Sequence, residues 1–193
     1  MTMSGLPPDF RWIPGWMGAA EARALFDELL AQAPWEDPIL RVVGRAIPMP
    51  RRVAFYGPHR YAYSGLLHEP RPLTPTLDEV RRRIEQAARH PFNTLLMNLY
   101  RSGADSVSWH SDDDYPHGGN PAVASLSLGA TRRFRIAGKR DRDARHAVDL
   151  TSGGLLVMEG RSQEEYRHAL PKTTSPVGPR INLTFRYMAE PNL

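Results

Sequence analysis

The chain contains no cysteine, which removes disulfides, thiolate nucleophiles and thiolate metal ligands from consideration. No apolar run approaches the roughly 20 residues of a membrane-spanning helix. The opening residues Met1-Thr2-Met3-Ser4-Gly5-Leu6-Pro7-Pro8 carry neither the charged n-region nor the apolar h-region of a secretory signal. These absences lead to the expectation of a soluble, cytoplasmic protein without a membrane partner. Internal repeats and low-complexity tracts are lacking as well, so a solenoid or a repeat array is not expected. Aromatic residues make up only 9% of the chain, and those that recur at regular spacing therefore carry information.

With 193 residues, 41% of them hydrophobic, the chain is long enough for one substantial core and too short for two. A single domain over 1–193 is expected, and the same reasoning favours a monomer. The net charge of +4 and a pI near 9.7 favour a polyanionic partner. The positive charge is clustered. Arg132, Arg133, Arg135, Lys139, Arg140, Arg142 and Arg145 fall on a segment whose Ala137-Gly138 pair suggests a hairpin, while Arg81, Arg82 and Arg83 fall on an expected helix as a solvated face.

Apolar periodicity predicts that helix over 75–90, through Leu77, Val80, Ile84, Ala87 and Ala88, with Thr74 or Thr76 as its cap. A second helix is predicted over 19–33 from Ala22, Leu25, Phe26, Leu29 and Leu30. Beyond His90 the chain reads as short strands. Segments 122–128 and 133–136 are strand-like, 151–154 is a turn, and 155–158 is a short buried strand. The class is α+β, mainly β.

The stretch Trp109-His110-Ser111-Asp112, with a distant His168, carries the chemistry. On a strand, alternate side chains share a face, so His110 and Asp112 point the same way, roughly 6.6 Å apart. A third ligand from another strand, His168, then closes one face of a coordination sphere. Two imidazoles and one carboxylate with open positions suit the Fe(II) of non-haem oxygenases, and zinc is the competing metal. Trp109, pointing the other way, is expected in the core. His59, His68, His90, His117 and His146 read as ordinary surface groups.

A second pattern follows His168. Arg180, Asn182, Thr184 and Arg186 alternate with Ile181, Leu183, Phe185 and Tyr187, giving a strand one polar and one apolar face. A solvent-facing edge strand reads the same way. Two arginines near a metal ligand, however, are suited to a small dicarboxylate, which a guanidinium holds bidentately. In 94–100 the residues Asn98 and Tyr100 share a face and offer hydrogen bonds to the same guest. That guest reads as 2-oxoglutarate.

Together, the His110-Ser111-Asp112-Asp113-Asp114 run, Asn98-Leu99-Tyr100, Arg180-x-Asn182-x-Thr184-x-Arg186, Pro50-Arg51, Tyr56-Gly57 and Tyr61-Ala62-Tyr63-Ser64-Gly65 resemble the AlkB family of Fe(II)/2-oxoglutarate dioxygenases. The likeness is nearest to the human nuclear DNA-repair members. It implies a double-stranded β-helix, or jelly roll, over about 91–188, preceded by about 90 residues of helices and a nucleotide-recognition lid. It implies Fe(II) on His110, Asp112 and His168, 2-oxoglutarate as cosubstrate and O2. Arg180 would take the distal carboxylate and Arg186 would lie near the chelating one, assisted by Asn98, Tyr100, Asn182 and Thr184. Arg51, Tyr61, Tyr63 and Asp114 would line the pocket for the base, the two tyrosines stacking on it, and a carboxylate at Asp114 suits cationic N1-methyladenine or N3-methylcytosine. Asp113 is expected to face away, in an ion pair.

The implied reaction is oxidative demethylation of such bases in DNA. RNA or tRNA base demethylation and a non-catalytic nucleic-acid-binding module are the alternatives. Where the family's double-strand-preferring member has an aromatic wedge, this chain has Val43, which fills a vacated base stack poorly. Alkylated single strands are therefore the expected partner.

Overall fold

The computed structural model describes residues 5–42, 45–63, 66–113, 116–141 and 143–189. In chain order these form β1 (Phe10–Ile13), α1 (Ala19–Gln32), β2 (Ile39–Val42), β3 (Arg45–Pro48), β4 (Arg52–Tyr56), β5 (Tyr61–Tyr63), β6 (Leu66–His68), α2 (Pro75–Ala88), β7 (Thr94–Tyr100), β8 (Val107–His110), β9 (Val123–Gly129), β10 (Arg132–Gly138), β11 (Arg145–Leu150), β12 (Leu155–Met158), α3 (Ser162–Glu165), β13 (Tyr166–Leu170) and β14 (Arg180–Arg186).

Both predicted helices form, and local chemistry sets their ends. The hydroxyl of Thr74 accepts from the Leu77 amide at 3.3 Å, Pro75 supplies the pre-set φ of a first helical residue, and Arg89 stops α2 in the left-handed region at φ 62°. Helix α1 stops before Ala33, whose position ahead of Pro34 disfavours α geometry. Leu30 departs from the expected apolar stripe and is 38% exposed. The arginines of α2 are structural: Arg81 pairs with Asp78 and Glu85 at 2.7 Å each, and Arg83 reaches Glu21 of α1.

The strands build two antiparallel sheets, one ordered β1-β12-β9-β14-β7-β4 and one ordered β11-β10-β13-β8, with β2-β3 and β5-β6 as separate hairpins. This is the double-stranded β-helix. Strands β1 and β4, from the N-terminal part of the chain, form the two edges of the larger sheet. Its outer face supplies Leu95, Met97, Leu99, Leu126, Ile181, Leu183 and Phe185 to a core shared with Leu25 and Phe26 of α1 and Leu77, Val80 and Ile84 of α2. A second cluster, including Phe134, Ile136, Leu156, Met158 and Leu170, lies between the sheets. The helices thus cover one face of the large sheet and leave the other to the site.

Gly129 shows how tightly this is fixed. It ends β9 opposite Arg180 with φ +82°, and a β-carbon there would lie 2.5 Å from the Pro179 carbonyl oxygen. Gly129→Ala combines a disfavoured φ with a backbone clash, so a loss of at least about 1 kcal/mol in stability is expected. Reversible denaturation of the two proteins checks it.

Candidate active site

Strand β14 is hydrogen-bonded on both sides, to β7 with Arg180 opposite Tyr100 and to β9 with Arg180 opposite Gly129. It is a central strand, and every one of its residues is buried. The competing edge-strand reading of its polar face is therefore excluded: that face lines the space between the sheets. Burying polar groups demands partners. Arg180 Nη2 donates to Ser127 Oγ at 2.9 Å and to Asn182 Oδ1 at 2.8 Å. The same Asn182 oxygen accepts from Ser125 Oγ at 2.8 Å, and Asn182 Nδ2 donates to Thr184 Oγ1 at 2.6 Å. The amide of Asn182 is thus committed to orienting Arg180. Ser125 and Ser127, which motif reading does not single out, complete the network; their signal was the period-two alternation of Val123-Ala124-Ser125-Leu126-Ser127-Leu128.

Tyr100 lies under the guanidinium of Arg180, 5.3 Å from ring centroid to Cζ, with that of Arg132 at 5.9 Å. Burial, with Arg132 nearby and despite the compensating Tyr100, lowers the pKa of Arg180 to about 10, still fully charged at neutral pH. Its Nε is buried with no hydrogen-bond partner among the described residues. A buried charged donor left unmatched is costly, and Arg180 lines the inter-sheet cavity. Such an unmatched donor fits a carboxylate.

At the other end of the cavity, His110, Asp112 and His168 each present one ligand atom, all within 4.8 Å of one another. His110 Nε2 is 4.0 Å from Asp112 Oδ1 and His168 Nε2 is 3.5 Å from Asp112 Oδ2. These three side chains converge closely enough that they would hold a metal ion between them. The register explains the convergence, since His168 pairs with His110 across β13 and β8. Nδ1 of His110 contacts the Ser108 carbonyl at 2.8 Å, which turns Nε2 toward the site. The ring of His168 is held instead by stacking on Phe134, centroids 5.2 Å apart.

The charge state suits a metal. Desolvation, together with the His168 imidazole, pushes His110 down to about 4, which keeps its ring nitrogen free to coordinate. Burial alone would raise the Asp112 carboxyl, but the Arg186 guanidinium and the imidazoles hold it well below the usual carboxylate range. Arg186 bonds Asp112 directly. The donor set, two imidazoles and one carboxylate with no thiolate, fits Fe(II).

Asp112 does not share a strand with His110, as alternation would have it. Strand β8 ends at His110, and past it Ser111 Oγ donates to the Tyr166 carbonyl at 2.9 Å while the Asp112 amide donates to Gln163 Oε1 at 2.9 Å. Side chains have replaced the ladder, and α3, which periodicity does not announce, supplies one of them. Asp113 faces away and pairs with Lys139 at 3.0 Å. Trp109 also faces away from His110, yet it is 41% exposed and not in the core, because β8 is the edge of its sheet.

Arg51 reaches the cavity, donating through Nε to Asn98 Oδ1 at 2.8 Å; Arg51, Asn98 and Tyr100 all line it. Tyr61 and Tyr63 are on β5, paired with His68 and Leu66 of β6, while their rings lie outside what is described. Val43 and Asp114 lie outside the described residues.

Residues 9–186 match the 2OG-Fe(II) oxygenase superfamily. The mouse "Alpha-ketoglutarate-dependent dioxygenase alkB homolog 3" is 39% identical over 182 residues, 90% of this chain and 64% of that protein. The mouse "DNA oxidative demethylase ALKBH2" is 35% identical over 181 residues, 88% of this chain and 76% of that one. The chain belongs to the AlkB family. It spans 64% of the length of the first of these AlkB relatives. A solved structure titled "The structure of OsALKBH1" superposes with a TM-score of 0.68 at 16% identity, covering 95% of this chain and 100% of that one, so the AlkB fold is shared even where the sequence has drifted.

Proposed function

We propose that this chain is an Fe(II)- and 2-oxoglutarate-dependent oxidative demethylase of N-alkylated nucleobases in DNA, such as N1-methyladenine and N3-methylcytosine, with a preference for single strands. The observation that carries the reading is one cavity holding both an imidazole-imidazole-carboxylate cluster and a buried arginine with an unmatched donor. The names of the two relatives support oxidation as the chemistry and DNA as the substrate.

Iron bound to His110, Asp112 and His168 supplies, with 2-oxoglutarate and O2, the oxidation of the N-methyl carbon, while the cosubstrate leaves as succinate and CO2. The hydroxymethyl product then collapses to formaldehyde and the unmodified base. The protein's part is orientation and charge. Arg180 binds the distal carboxylate, held in line by Ser127 and Asn182. Arg186 neutralises Asp112 until a metal takes over that task, and is then placed for the second carboxylate. Arg51 fixes Asn98 so that its amide nitrogen faces the guest. Tyr61, Tyr63 and Asp114 serve the base, by stacking and by favouring a cationic ring.

Chelation followed by readdition of metal tests the metal assignment. Mass spectrometry of a methylated oligonucleotide should show loss of demethylation on dialysis against chelator and recovery with Fe(II) but not with Zn(II). Recovery with zinc would contradict an oxidative reaction. Strand preference has its own test, since extruding a base from a duplex leaves a gap to be filled and a single strand leaves none. Single-turnover rates on N1-methyladenine should be higher in single strand than in duplex, and Val43→Phe should improve duplex repair alone. Equal wild-type rates, or an equal slowing of both substrates by Val43→Phe, would remove the basis for this preference.

A further inference from the structure

The alternation that turns His110 and His168 inward turns Trp109 of β8, Arg167 of β13 and Arg133 and Arg135 of β10 outward, where all four are exposed. Register sets them in rows. Arg145, Ala137 and Arg167 lie side by side across β11, β10 and β13, and so do Ala147, Arg135 and Ala169. Each arginine is thus next to an alanine, and the short side chains leave a groove of about 330 Å³ walled by Trp109, Arg133, Arg135, Arg145 and His146. The guanidinium of Arg167 lies over the Trp109 indole, 5.3 Å from its centroid.

This face has four guanidinium groups, and the one carboxylate set in its rows, Asp149 opposite Arg133, pairs with that residue at 2.9 Å. Arg135 forms no ion pair among the described residues. An exposed indole amid arginines matches neither a buried core nor an ordinary solvated face; it is the composition that holds a single strand, with phosphates on the cations and a base on the ring. The groove lies on the opposite face of this sheet from the candidate metal site. The two faces meet at edge strand β8, where Trp109 and His110 are consecutive, so a polynucleotide leaving the cavity has to round that strand to reach the groove.

We propose that the outer face of the four-stranded sheet is a second nucleic-acid site, which binds the single-stranded DNA flanking the target nucleotide, one base on Trp109 and the backbone on Arg135, Arg145 and Arg167. This rests on the nucleic-acid reading above and adds a surface remote from the reacting atoms.

The test measures binding of the metal-free protein to a fluorescein-labelled, unmodified twenty-nucleotide oligo(dT) by anisotropy across a salt series. Arg135→Ser combined with Arg145→Ser should weaken binding about tenfold or more and lower the log–log salt slope by about 1.4, two single-strand phosphate contacts. Trp109→Ala should weaken it by about fivefold or more, the effect of one lost base stack, and Trp109→Phe should restore most of that. A methylated five-nucleotide substrate, whose two nucleotides on either side of a central target leave little backbone to lie along the groove, should be turned over by the iron-loaded double arginine variant as by wild type, which also shows that the variant is folded. Wild-type affinity and salt slope in the double variant would overturn the proposal, and so would wild-type binding that favours a ribo-oligonucleotide or a duplex of the same length. The two readings fail separately: no turnover of the five-nucleotide substrate by wild type refutes the proposed reaction, whereas the oligo(dT) titration alone decides the groove.

Discussion

His110→Ala is expected to leave no measurable demethylation and to lower bound iron in parallel, because it removes one of the three proposed protein ligands. The half-buried position of His110 makes it the cleanest of the three to replace. Asp112→Ala should be equally inactive but also less stable: Arg186 and Asp112 are both buried and bonded to each other, and removing one member of such a pair costs about 3–5 kcal/mol. The two variants together separate catalysis from folding. Product mass spectrometry beside metal analysis and thermal melts checks both. Retention of more than a few per cent of activity by His110→Ala, with iron still bound, would show that the ligand set is wrong.

Arg180→Ala is expected to raise the concentration of 2-oxoglutarate needed for half-maximal turnover by about 30-fold, the equivalent of about 2 kcal/mol for a lost charge-assisted pair. Saturating cosubstrate should recover much of the rate, since the proposed role of Arg180 is at the distal carboxylate and not at the reacting carbon. Arg180→Lys should fall between, keeping the charge but losing the planar fork. An unchanged 2-oxoglutarate titration in Arg180→Ala would refute the assignment. Because Arg180 is only 1% exposed, melting of the variant needs to be followed alongside.

The three candidate ligands, which the structure brings together, and the alternating face of β14 were legible because they depend on identity and on a two-residue period, both of which a sequence displays. Whether that polar face met solvent or a cavity was not legible. The answer depends on β7 and β9 flanking β14, and pairing between distant segments leaves no trace in the strand itself. Trp109 has the same cause in reverse: its direction followed from alternation, but its exposure followed from β8 being an edge. Asp112 was identified by type and misplaced by geometry, as the ladder gives way there to bonds that Ser111 and Asp112 donate to Tyr166 and Gln163. Such side-chain substitutions are specific to one tertiary arrangement. Helix α3, four residues long, is too short for apolar periodicity to register.

The double pairing of β14 also bears on how the protein comes to be active. A slip of one residue against β7 and β9 would exchange its faces, driving Arg180 and Arg186 under the helices and Ile181, Leu183 and Phe185 into the cavity. A slip of two residues would restore the faces but carry Arg180 roughly 6.6 Å along the strand, away from Ser127 and Tyr100. The proposed cosubstrate pocket therefore forms only in the native register, and 2-oxoglutarate binding through Arg180 would report that the largest sheet is correctly aligned.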